Sequence, residues 1–145
     1  MLMYAYMGYK RFLGAILKSN KVILILSIES DRDLSETISS NGISATKVWQ
    51  KGDLKLKGSI LKYRNFGFSI EEKFYDIPFA GDLIKKFLAD INVARSIKLQ
   101  SVKKLLRVVV YSYNSLPGLY YNANLLKLLA DNNVDLDNDI YCLDG

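Results

Sequence analysis

Residues 22–28 form the densest apolar run in the chain, Val-Ile-Leu-Ile-Leu-Ser-Ile, and the run stops at Glu29. It is apolar on both faces and rich in β-branched side chains, which predicts a buried central strand. A polar turn, Glu29-Ser30-Asp31-Arg32-Asp33, follows. Asp31 or Asp33 there is placed to cap a helix over residues 33–40 that ends at Asn41-Gly42. Residues 45–50 predict a short strand closed by Lys51-Gly52-Asp53, a turn sequence. Alternation across 59–73 predicts a longer strand: Tyr63, Asn65, Gly67 and Ser69 oppose Arg64, Phe66, Phe68 and Ile70. Pro78 and Gly81 interrupt it. Leu83, Ile84, Phe87, Leu88 and Ile91 then fall on one stripe of a helix over 79–94, with Lys85, Lys86 and Asp90 facing away.

Residues 105–113 predict a further strand around Val108-Val109-Val110-Tyr111. After a loop at 115–118, Asn122 or Asn124 opens a helix bearing Leu125, Leu126, Leu128 and Leu129, closed by Asn132-Asn133. Residues 134–143 predict a last strand. Leu136, Ile140 and Cys142 share its core side; Asp135, Asp137, Asp139 and Tyr141 share the other. The order β-α-β-β-α-β predicts an α+β fold with a ferredoxin-like core, extended by a C-terminal helix and strand. Residues 21–145 read as one domain. Residues 1–20 read as an N-terminal extension, a helix or a strand. Leu2, Tyr6, Tyr9, Leu13, Ile16 and Leu17 lie near helical spacing there, with Lys10, Arg11 and Lys18 off the stripe.

Composition narrows the chemistry more than the fold. The 145 residues include no histidine. Ser-His-Asp and Cys-His nucleophile systems, HExxH zinc sites and any imidazole base are therefore excluded. Cys142 is the one cysteine, so neither an internal disulfide nor a cysteine-rich metal site can form. No glycine-rich phosphate loop or nucleophile elbow occurs. Glu71-Glu72 sit on opposite sides of a strand, which argues against a paired-carboxylate hydrolase. No metal or cofactor is expected. No apolar stretch has membrane-spanning length, and the N-terminus lacks signal-peptide order, so the expectation is a cytoplasmic protein without membrane attachment.

The net charge is +5, with the basic groups early and the acids late. Lys47, Lys51, Lys55, Lys57, Lys62 and Arg64 crowd one stretch, flanking Trp49 and Tyr63 and broken only by Asp53. Such a strip can track nucleic-acid phosphates, and it can equally be the solvated, lysine-protected side of a β-hairpin. Asp135, Asp137 and Asp139 project alike, about 7 Å apart, and repel one another unless a cation or basic partner meets them. A calcium loop is excluded, because Ile140 stands where that loop needs glycine. Ten tyrosines add side chains that combine contact area with a polar tip, as interfaces favour.

Val48-Trp49-Gln50-Lys51-Gly52-Asp53 resembles the W-x-K-G-D turn of the bacterial domain-of-unknown-function family DUF4279. Asp31-Arg32-Asp33-Leu34 is similar to that family's acidic turn after the first strand. Asn65-Phe66-Gly67-Phe68-Ser69-Ile70 is similar to its third strand, though the family often has tryptophan near Phe68. Residues 125–129 and 134–141 resemble its closing helix and L-D-x-D-I-Y strand. The resemblance covers about residues 22–142. It implies a compact α+β domain without established catalytic activity, of the size and style of immunity proteins encoded beside bacterial toxins.

The expectation is thus a non-enzymatic binding protein, an immunity-type inhibitor that occludes the active site of a cognate protein toxin. Its partner-binding residues are expected to be Asp31, Asp33, Trp49, Lys51, Asp53, Tyr111, Tyr113, Asp135, Asp137, Asp139 and Tyr141. The alternative is a nucleic-acid-binding or regulatory module using Lys47, Lys51, Lys55, Lys57, Lys62 and Arg64.

Overall fold

A computed structural model describes residues 19–76, 80–113 and 118–143. The helix or strand expected within residues 1–20 lies, apart from Ser19 and Asn20, outside them. The described residues form an α+β fold: one mixed five-stranded sheet with four helices. The elements in chain order are β1 (Lys21–Ser30), α1 (Ser35–Ser40), β2 (Lys47–Trp49), β3 (Phe66–Tyr75), α2 (Ala80–Ala89), α3 (Ile91–Ile97), β4 (Lys103–Ser112), α4 (Ala123–Asp131) and β5 (Val134–Cys142). The strand order is β2-β3-β1-β4-β5. β1 runs antiparallel to both β3 and β4, β2 is antiparallel to β3, and β5 is parallel to β4.

Period-two alternation assigns the two faces. Val22, Leu24, Leu26 and Ile28 of β1 join Phe68 and Ile70 of β3 and Leu106, Val108 and Val110 of β4 in the core. Leu83, Ile84, Phe87 and Leu88 of α2, Val93 and Ile97 of α3, and Leu125 and Leu129 of α4 close over that side. The intervening positions turn to the opposite face, which carries no helix among the described residues. β1 is central, as its apolar run predicts, and its second face is buried at Ile23 and half-buried at Ile25, Ser27 and Glu29.

Two local expectations are corrected. The helix expected over 79–94 is two helices. Asp90, read as an outward polar position, breaks it because its carboxylate accepts from the Asn92 and Val93 amides at 2.9 and 3.4 Å and starts α3 afresh. Gly81 lies inside α2, within the span expected to be helical, where a side chain would meet the Tyr120 carbonyl at 2.4 Å. The strand expected from residue 59 begins at Phe66. Residues 52–63 instead fold back on themselves as an arm: Gly52 donates to the Tyr63 carbonyl and Tyr63 to the Asp53 carbonyl, both at 2.8 Å, and Leu54 bridges Lys62.

Lys104 points into the helical layer and is 4% exposed. Its ammonium donates to the carbonyls of Ile97 and Asn132, the latter at 2.8 Å, tying together the C-terminal ends of α3 and α4. Cations suit that position because helix C-termini carry unsatisfied carbonyls. Burial holds its pKa below the usual lysine value. No described helix is long and apolar enough to cross a membrane.

Candidate functional site

The helix-free face presents five aligned rows, read from strand register. At one end Trp49, Gly67, Glu29 and Lys103 lie side by side across β2, β3, β1 and β4. Next come Lys47, Ser69, Ser27, Leu105 and Asp135, then Glu71, Ile25, Arg107 and Asp137, then Lys73, Ile23, Val109 and Asp139. The far row is Tyr75, Lys21, Tyr111 and Tyr141. Eight residues of strand separate the first row from the last, about 27 Å.

Each end carries a stacked aromatic pair. Trp49 and Tyr63 lie with ring centroids 4.7 Å apart and planes at 16°. Tyr63 comes from the returning limb of the arm, which brings the arm over the sheet. Lys47 and Lys55 hold their ammonium groups 5.2 and 5.6 Å from the Tyr63 ring centroid. Tyr111 and Tyr141 stack at 5.1 Å and 15°, with the Lys21 ammonium 4.8 Å from the Tyr111 ring. Such contacts favour a cation over a ring face.

Between the arm and the sheet lies a groove of about 590 Å³, with Trp49, Tyr63, Lys47 and Lys55 on one side and Lys103, Leu105 and Arg107 on the other. Ile25, Ser27, Glu29, Ser69 and Glu71 complete its lining with Leu56. Trp49 is 6% exposed, yet its Nε1 has no hydrogen-bond acceptor; no other buried side-chain polar atom among the described residues is left so. The sequence singled out Trp49, Lys47, Lys55 and Tyr63, and missed Glu29, Glu71, Lys103 and Arg107. The missed residues could have been found from strand parity, since Lys103, Leu105, Arg107, Val109 and Tyr111 alternate on one side of β4.

The acidic edge is as expected in geometry and differs in its surroundings. Asp135, Asp137 and Asp139 share the open face with Tyr141. Arg107 Nε lies 3.5 Å from Asp137 Oδ2 and 3.6 Å from Asp139 Oδ2, so the neighbouring strand supplies the cation that relieves their repulsion. Asp135 is exposed. No group of three acidic or cysteine side chains among the described residues is arranged to hold a metal ion.

The remaining expected residues scatter. Asp33 accepts from the Ser35 amide at 2.8 Å and the Ser35 hydroxyl at 2.6 Å, and these bonds hold its carboxyl below the usual range. Asp31 is exposed in the same turn. Asp53 takes the Gln50 amide at 2.7 Å rather than pairing with Lys51, which stays exposed in the turn. Lys57 and Lys62 are exposed on the arm, and Arg64 is exposed just after it. Tyr113 follows β4 near the far row, its amide bonded to Asn20 Oδ1 at 2.7 Å. Thus Asp31, Asp33, Trp49, Lys51 and Asp53 gather at one end, Tyr111, Tyr113 and Tyr141 at the other, and the aspartates line the edge between. Cys142, expected on the core side, is exposed, as are Ile140 and Tyr141 at the same end of the edge strand β5.

The chain matches no protein-family model, no curated protein and no solved structure.

Proposed function

We propose that the protein is a non-enzymatic binding protein of the immunity type, which docks its helix-free sheet face on a cognate protein toxin and occludes the toxin's active site. The observation that carries this reading is the composition of that face. Aromatic pairs stand at both ends, the half-buried aliphatic side chains of Ile25 and Leu105 lie between them, and lysines on the β2 side oppose aspartates on the β5 side. Protein interfaces are enriched in aromatic residues and arginine, and opposed charges fix the partner's orientation. The scaffold beneath is read as a ferredoxin-like core, β2-β3-β1-β4, to which α4 and β5 add an acidic edge. The expected setting is the cytoplasm.

Co-expression with the product of the adjacent gene tests it. The expected result is co-purification of the two proteins and protection of growth. Failure of both, or turnover of a substrate by the purified chain, would overturn the reading.

A second reading is supported by the arm and its flanks, where Lys51, Lys57, Lys62 and Arg64 are all exposed. On that reading the protein is a nucleic-acid-binding module whose affinity falls steeply with salt. Trp49 offers it little, since one ring face is already taken by Tyr63. Unchanged oligonucleotide mobility at low salt would dismiss this alternative.

A further inference from the structure

The groove beside the arm holds more hydrogen-bond donors and cations than the described residues satisfy. Lys47, Lys55, Lys103 and Arg107 line it, against the carboxylates of Glu29 and Glu71. Arg107 is engaged by Asp137 and Asp139. Glu71 lies 3.9 Å from Lys73. Among the described residues Lys47 and Lys55 meet only the Tyr63 ring, and Lys103 makes no ion pair although Glu29 is its register neighbour on β1. Beneath them the Trp49 indole N–H is buried without an acceptor. A buried donor left unsatisfied is costly, and an occupant supplying an oxygen removes that cost.

We propose that this groove receives an acidic segment of the partner protein, its aspartate or glutamate carboxylates bound by Lys47, Lys55 and Lys103 and by the Trp49 indole N–H. The inference rests on the docking reading above and names what enters this part of the face. Carboxylates fit better than a nucleic-acid backbone for two reasons. Glu29 and Glu71 interrupt the positive surface, and Asp137 and Asp139 lie beyond Arg107, so a continuous polyanion meets repulsion where separate carboxylates need not. The one tryptophan is stacked on Tyr63 and packed over Gly67, leaving no free platform for a base. The volume, about 590 Å³, suits a few side chains.

Because Trp49 is the only tryptophan, its fluorescence and its single indole N–H resonance report this site alone. The full chain would be titrated with a capped hexapeptide of alternating glutamate and alanine, a lysine–alanine counterpart, a single-stranded RNA hexamer and inorganic phosphate. The acidic peptide is expected to move the indole proton downfield to saturation, and the basic peptide to leave it in place. Replacing two groove cations (Lys47→Gln with Lys55→Gln) should weaken the acidic peptide by about tenfold. The arm pair Lys57→Gln with Lys62→Gln, equal in charge lost, should leave it unchanged. No saturable movement, equal loss from both pairs, or tighter binding of RNA or phosphate would each overturn the inference. A partner complex that survives the Lys47–Lys55 replacement defeats the groove assignment alone. Peptide binding without any co-purifying or protective partner defeats the docking reading alone.

Discussion

Trp49 and Gly67 face each other across β2 and β3, and the indole occupies the space that a side chain at 67 would need. A Cβ there would stand 2.3 Å from Trp49 Cζ2, 2.4 Å from Cε2 and 2.7 Å from the Ile28 carbonyl oxygen. Two of these neighbours belong to a ring clamped by Tyr63, and the third is backbone of the central strand, so none can yield cheaply. Gly67→Ala should therefore cost about 1–3 kcal/mol, the usual range for overpacking. Denaturant unfolding followed at Trp49 would measure it. The same variant should lose the Trp49–Tyr63 stack, seen as a shifted indole emission. An unaltered midpoint and emission would refute this account of the glycine.

Lys104 invites a second test. Lys104→Met keeps most of the apolar stem and leaves the Ile97 and Asn132 carbonyls buried without their donor. Loss of about 1–3 kcal/mol is expected. The pH dependence has a definite sign. Burial lowers the folded pKa below 10.5, so between the folded value and 10.5 the unfolded chain binds the extra proton. Stability from this residue therefore rises with pH across that window. The gap between the parent protein and Lys104→Met should widen toward alkaline pH, as paired urea titrations would show. A gap that narrows would contradict the assignment of a desolvated ammonium.

The sheet was legible in the sequence because its strands carry uninterrupted patterns. The run at 22–28 marks the centre, Val108-Val109-Val110 marks its neighbour, and the aspartate alternation marks the edge. Helix breaks and the arm were less legible. Asp90 has the same polarity whether it faces solvent or caps a helix, and only the Asn92 and Val93 amides distinguish the two. Residues 59–64 alternate like a strand because the returning limb of the arm is extended, although its partner is residues 52–55 and not the sheet. The groove was half legible. Trp49 and the lysines near it are conspicuous in one segment, whereas parity shows only that Lys103 and Arg107 share a side of β4, and strand register is what brings them beside Trp49.

Tyr121 supplies a prediction of opposite sign to that of Lys104. Its hydroxyl donates to Asn138 Oδ1 at 2.5 Å, fastening the segment before α4 to β5. Burial raises its pKa above 10.0. A raised folded pKa gives stability that is complete below 10.0 and is lost as pH climbs through the folded value. Tyr121→Phe should be less stable at neutral pH by about 0.5–1.5 kcal/mol. Its alkaline loss of stability should be shallower than that of the parent. Ultraviolet titration of phenolate formation, compared between the two proteins, would expose the late-ionising tyrosine as the one removed.

Arg107 separates folding from docking at the acidic edge. It lies between Asp137 and Asp139 at 3.5 and 3.6 Å, and all three side chains are close to half exposed. Ion pairs of that exposure contribute little, so Arg107→Gln should cost no more than about 1 kcal/mol, and less as salt is raised. Its effect on association should be larger. Without the guanidinium, Asp135, Asp137 and Asp139 form an uncompensated acidic row, which would bind a basic surface faster and with a steeper salt dependence. Stopped-flow association with the partner identified by co-purification should thus show a higher on-rate for Arg107→Gln at low salt. Asp137→Asn with Asp139→Asn should show a lower one. If both variants associate at the parental rate, the acidic edge lies outside the interface, and docking must be confined to the Trp49 end of the sheet.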